Sequence, residues 1–228
     1  GGGGGGGAFS VVTRGFSTSA AGSVVGAPGS ADEKIGVDPC ACENIPLPTA
    51  PVLTEAELLA LLVAARDVAW PELAALNLAV DDETDLAYFR ASISTDTALE
   101  PDNANRVFVV SYDPVVLADP PDPASLAAIL VHELAHVHDY TQMDVETYLE
   151  FGLWYGAQDP KTSDELAEYE RSTDEAAMSR GCAAGLSTMR AWIYAHASAE
   201  VLAEKQRNYY TPAEIAEWVG VNSVCSSG

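Results

Sequence analysis

With 34 acidic residues against 11 basic ones and a formal charge of −23, this 228-residue chain repels phosphate backbones, which excludes nucleic acid and anionic membrane surfaces as partners. Its 48% apolar composition still supports one proper core. The four cysteines include no CxxC pair, so they point to the disulfides of an exported protein rather than to a second metal site.

Residues 1–49 read as a flexible tether. Seven consecutive glycines are followed by Gly-, Ser-, Ala- and Thr-rich segments with too little periodic apolar surface to fold alone. The tether carries four acids and two bases, so nearly all of the negative charge falls on residues 50–228, expected to form a single domain. Cys40 and Cys42 are too close to bond each other, and they are expected to pair with Cys182 and Cys225 in an order left open. An extracellular or cell-envelope location follows, with anchoring as a lipoprotein one way to use such an arm. No segment is long and apolar enough for a transmembrane span.

Thr54-Glu-Ala-Glu57 is a capping box that predicts a helix to about Val68, with a further short helix from Glu72. Ala87–Ser94 and Arg106–Tyr112 are β-rich runs expected to pair antiparallel. The second lies just ahead of the next helix, where its edge would align a peptide substrate by strand addition. The acidic run Asp81–Asp85 and the turn Asp102–Asn105 offer weak Ca²⁺ sites, neither of them an EF-hand loop. Asp122-Pro123 supplies an N-cap and a first-turn proline. Later helices are expected over 144–155, 163–181, 187–207 and 212–219, the last opened by the capping box Thr211-Pro-Ala-Glu214.

The helix that starts at Pro123 carries the chemistry. Its run from Ser125 to Val137 is apolar nearly all round, as a buried helix is, yet it contains His132-Glu133-Leu134-Ala135-His136. Burying two imidazoles and a carboxylate costs several kcal/mol each unless something binds them. Residues four apart share a helix face, so His132 and His136 can hold one metal ion, with Glu133 turned about 100° away to work on a water.

A zinc site needs a third protein ligand. The metzincin extension would place Gly and His where Asp139 and Gln142 stand, so it is absent. On the helix expected over 163–181, one face gathers Leu166, Ala167, Glu170, Thr173, Asp174, Ala177 and Met178. Glu170 and Asp174 are therefore the buried acids, while Glu175 faces water. Glu170 as ligand, with Asp174 accepting a hydrogen bond from a ligand imidazole, gives each acid a partner. Glu175, His196, Asp174 and Asp139 remain as alternative third ligands.

His132-Glu133-xx-His136 followed by Glu170-xxx-Asp174 resembles the gluzincins, the clan of thermolysin-like zinc metallopeptidases. The resemblance covers these two helices and the strand before them, and the 33 residues between His136 and Glu170 are more than thermolysin has. It implies an α+β, mainly helical, zincin-like fold, with a small antiparallel sheet preceding the active-site helix and a ligand helix following it. It also implies one Zn²⁺ per chain on His132, His136 and Glu170, Glu133 as general base, and Asp174 orienting His132. The activity implied is hydrolysis of peptide bonds in a peptide or protein substrate. A catalytically silent zincin-fold binding module is the competing expectation. Tyr140, Tyr209, Tyr210 and His196 are all candidates to stabilise the oxyanion. His138 points away from the metal side, and oligomeric state is not legible.

Overall fold

A computed structural model describes residues 37–84, 88–222 and 225, so residues 1–36 and Ala87 of the first expected strand lie outside the described residues. The first long helix, α1 (Glu55–Ala69), opens on the expected capping box: Thr54 Oγ1 accepts from Glu57 N while the Glu57 carboxylate accepts from Thr54 N. In place of the helix from Glu72 there is a single tight turn, Pro71–Leu73.

Three strands follow, β1 (Asn77–Asp82), β2 (Phe89–Ile93) and β3 (Val107–Tyr112), in the order β1-β3-β2. β2 and β3 pair antiparallel, as expected. The sheet as a whole is mixed rather than antiparallel, because β1 joins β3 in parallel with Asn77 opposite Val107. β1 escapes a pattern reading because it is an exposed edge: of its six residues only Val80 is buried, and it ends in Asp81 and Asp82. Acids on an edge strand discourage further pairing. A second consequence is that β3 is the central strand and has no free edge. The free edge nearest the helix that carries His132 and His136 belongs to β2.

After a single turn, α2 (Val115–Ala118), comes the long helix α3 (Pro123–Thr141). Asp122 caps it by accepting from Ala124 N and Ser125 N, and Pro123 occupies the first turn, where its missing N–H costs nothing. Every residue from Ser125 to Val137 is buried. α3 is the axis of the domain, packed against α1 and β2 and against the later helices α5 (Asp164–Met178) and α6 (Ala183–His196). Between them lies α4 (Val145–Ala157), which has no buried residue.

The helix expected over 187–207 is two helices, α6 and α7 (Ala199–Asn208). Ala197 and Ser198 are extended, and Ser198 Oγ accepts from Val201 N, so the chain is recapped and restarted. α7 returns onto α5, and α8 (Pro212–Val221) closes the domain against α6 with its own capping box.

The packed chain starts ahead of residue 50, since Ala41 and Ile45 are in the core. The disulfides are Cys40–Cys225 and Cys42–Cys182, joining the expected cysteines. Gly181, between α5 and α6, holds φ +84°, and a Cβ there would stand 2.7 Å from Pro39 O. Two disulfides are compatible with an extracellular protein. No helix among the described residues is long and apolar enough to cross a membrane.

α6 approaches α3 closely at Gly185, where a Cβ would lie 2.6 Å from Ala128 Cβ and 2.7 Å from Ala124 O of α3. Gly185→Ala is expected to cost about 1–3 kcal/mol through overpacking, read as a lower urea midpoint at unchanged slope. Gly152→Ala, where nothing lies within 4 Å, should leave stability equal or slightly higher.

Candidate metal centre

His132 and His136 lie on successive turns of α3, and both are buried. α5 presents its one buried stripe to them: Leu166, Glu170, Thr173, Asp174, Ala177 and Met178. Glu170 Oε2 comes within 3.7 Å of His132 Nε2 and 3.3 Å of His136 Nε2. The three ligand atoms lie within 4.8 Å of one another, a buried His132/His136/Glu170 group that could hold a metal ion. Glu170 Oε2 has no hydrogen-bond partner among the described residues. An unpaired buried carboxylate oxygen aimed between two imidazole nitrogens is a fit for a cation.

The remaining polar atom of each ligand is held by a neighbour. Tyr155 of α4 donates its hydroxyl to Glu170 Oε1 at 2.7 Å, leaving Oε2 directed at the histidines. The Tyr169 hydroxyl stands 3.0 Å from His136 Nδ1. Asp174 Oδ1 is 2.8 Å from His132 Nδ1, an ion-pair distance at which the ring N–H is not lined up on the oxygen. Asp174 also accepts from Arg190 Nη2 at 2.7 Å and from Tyr210 N at 3.0 Å. Fixing one ring nitrogen of a histidine directs the other at the ligand position.

Charge follows the same arrangement. Burial works against an imidazolium at His132, but the carboxylates of Asp174 and Glu170 outweigh it and hold its pKa up at about 9. Burial likewise works against the Glu170 carboxylate, yet His136 and His132 pull it well below the ordinary range. For Asp174 burial is opposed first by Arg190 and then by His132, with the net direction downward. The cluster favours a positive charge between its carboxylates.

Beside it opens a narrow pocket lined by Tyr88, Phe89, His132, Glu133, Lys205 and Tyr209 among others. Glu133 reaches into it with Oε2 buried and unpartnered among the described residues. Tyr88, at the pocket rim, holds φ +83°, a strained setting for an aromatic residue. The Tyr209 ring lies 5.8 Å from that of His132.

Of the residues singled out from sequence, His132, Glu133, His136, Glu170 and Asp174 are brought together, with Tyr209 lining the pocket beside them. The remaining ones are engaged elsewhere. Glu175 is exposed and accepts from the Tyr210 hydroxyl. Asp139 lies beside His138 at 3.8 Å, and the His138 ring rests on Trp70. His196 stacks on Trp192 and pairs with Asp119. Tyr140 spends its hydroxyl on Ala91 O. Asn103, in the turn weighed for Ca²⁺, donates to Thr141 O and accepts from Arg106, and no metal-ligand group forms there among the described residues. Sequence reasoning missed Tyr155, Tyr169, Arg190 and Lys205. Their one signal is that each lies on a helix already expected, but no spacing rule ties them to the HExxH turn.

Compared with known proteins, the chain matches no family model, no curated protein and no solved structure.

Asp174→Asn strips a carboxylate from two buried partners, His132 and Arg190. It is expected to cost about 3–5 kcal/mol in denaturant unfolding and to weaken metal affinity about 10–100-fold in a chelator competition.

Proposed function

We propose that this chain is a zinc-dependent metallopeptidase of gluzincin type, one Zn²⁺ per chain, acting on peptide or protein substrates outside the cytoplasm. The observation that carries the reading is Glu133. It is 4% exposed, with one carboxylate oxygen lacking any partner among the described residues, one residue from a ligand histidine and lining the narrow pocket. A buried carboxylate without a partner is costly, and structural residues do not keep one. A general base must keep its lone pairs free for a water.

His132 Nε2, His136 Nε2 and Glu170 Oε2 would hold the metal, a donor set of two imidazoles and a carboxylate that suits zinc. Zinc in such a setting supplies Lewis acidity, lowering the pKa of a water towards ~7 and polarising a carbonyl. Glu133 takes the water's proton on its unpartnered oxygen and returns it to the leaving amine nitrogen. Asp174, Tyr169 and Tyr155 keep the three ligands in register throughout.

Among the tyrosines considered for the oxyanion, Tyr140 and Tyr210 have committed their hydroxyls to Ala91 O and Glu175. Tyr209 lines the pocket, and its hydroxyl has no partner among the described residues, so it is assigned the oxyanion donor's role. Its ring is held between Arg190 and Lys205, each within 5 Å of the centroid.

The substrate strand would approach β2, whose first residue, Phe89, lines the pocket. Addition along the whole of β2 is blocked. The Tyr148 hydroxyl accepts from Ile93 N at 3.0 Å, and the Tyr140 hydroxyl donates to Ala91 O at 3.3 Å. Backbone pairing with a peptide is thus confined to the Phe89 end.

Zinc-loaded protein is expected to cleave members of a random peptide library, and a chelator to stop it. Glu133→Gln should lower the rate about 10²–10⁴-fold while elemental analysis still finds the metal. Full cleavage by Glu133→Gln, or cleavage indifferent to chelator, would contradict the proposal.

A further inference from the structure

Four cations of the described chain are nearly fully buried: Arg106, Arg180, Arg190 and Lys205. Three of them have acceptors. Arg106 donates to Glu100 O, Asn103 Oδ1 and Met143 O. Arg180 donates to Ala69 O and Ala176 O. Arg190 donates to Asp174. Lys205 is 7% exposed and has neither a hydrogen bond nor a carboxylate within 4.0 Å among the described residues. Its Nζ lies over the Tyr209 ring, 4.6 Å from the centroid, which supplies a quadrupole but no lone pair.

An ammonium without an acceptor is expensive to bury. Burial already pushes Lys205 below the ordinary lysine range. The side chain is long and flexible, and it sits on α7 one turn from the helix end, from where a surface position would be open to it. Instead it lines the same pocket as Glu133 and His132. Arg190, whose guanidinium lies 4.5 Å from the Tyr209 centroid, lines that pocket too, with its Nε buried and unpartnered among the described residues. A lysine without a hydrogen bond or ion pair and a guanidinium with a buried unpartnered Nε, both among the described residues, therefore line the pocket that holds the general base. In a chain of charge −23 whose acids outnumber its bases about three to one, that placement is not the default. A protein held together for packing alone would have a Leu or Met at position 205. The missing partner is an anion that arrives with the substrate.

We infer that Lys205, backed by Arg190 Nε, is the receptor for a carboxylate of the substrate, so that the peptide hydrolysed carries a free C-terminal carboxylate or an acidic side chain next to the bond cut. This rests on the proposed peptidase reading for the identity of the ligand as a peptide, and it adds the substrate's class. Tyr209, held between the two cations, keeps its hydroxyl for the oxyanion. Lys205 determines specificity and touches no reacting atom.

The test uses the full chain, loaded with zinc, in the Glu133→Gln form so that binding is read without turnover. Random hexapeptides are offered in two series, C-terminal acid and C-terminal amide, and the bound peptides are identified by mass spectrometry. The expected result is enrichment of one carboxylate: the acid series over the amide series for a terminal carboxylate, or Asp and Glu at one position in both series for a side chain. The best peptide should bind about 30-fold or more tightly than its counterpart with the recognised carboxylate turned into an amide, at the C-terminus or as Asn or Gln for the acid. Adding Lys205→Met should abolish that ratio while the unfolding temperature stays equal or rises, because an unmatched buried charge has been removed. A residue that served only structure would instead lower the unfolding temperature on replacement. Lys205→Gln, which keeps length and polarity, gives the same reading should the Met variant not fold. The inference is overturned if no peptide is retained, if acid and amide forms are retained alike with no enrichment of Asp or Glu, or if the preference survives Lys205→Met, which would assign the carboxylate to the metal. Wild type that cleaves nothing, yet binds carboxylates through Lys205, would sink the peptidase reading alone.

Discussion

Two imidazoles and a carboxylate sit on α3 in a stretch where every residue from Ser125 to Val137 is buried. That placement would cost several kcal/mol per group without partners, so much of the surrounding chain is arranged to supply them. α5 brings Glu170 and Asp174, α6 brings Arg190, and the segment after α7 brings Tyr209 and the backbone of Tyr210. The pairings extend outward from His132 through Asp174 to Arg190, so the charge on α3 is balanced by groups up to 78 positions later in the chain. The balance still leaves the Oε2 atoms of Glu170 and Glu133 unpartnered among the described residues.

This dependence makes the late elements part of the site rather than an appendage. Tyr210 N reaches Asp174 only because the chain breaks at Ala197–Ser198 and α7 folds back onto α5. The disulfides act on the same frame from outside. Cys42–Cys182 fastens the segment ahead of α1 to the start of α6, and Cys40–Cys225 fastens it to the chain beyond α8. In the chain-entropy view such long loops restrict the unfolded state most, which suits a fold whose core carries uncompensated polar groups.

The helix α3 was legible because it breaks a rule: polar residues at ligand spacing on a helix with no polar face. Glu170 and Asp174 were legible from the stripe of α5, where the only other polar buried residue is Thr173. The capping boxes at Thr54 and Thr211, and the β2–β3 pairing, carried local signals of the same kind. What was not legible depends on contacts far apart in sequence. β1 is an edge strand with one buried residue, so it has no alternation to read. The break at Ser198 looks like helix on both sides and is decided by a single cap. Tyr155, Tyr169 and Arg190 read as ordinary helix residues until the fold sets them against a ligand or its partner. Lys205 reads as an exposed lysine in a polar helix, and only tertiary packing buries it.

The central claim is that His132, His136 and Glu170 form one metal site. Metal content per chain, by elemental mass spectrometry on wild type and Glu170→Ala purified side by side, tests it most directly. The account predicts one zinc per wild-type chain and its loss, or a greatly weakened hold on it, in the variant. One zinc retained equally by both proteins, or none in wild type after zinc reconstitution, would contradict it.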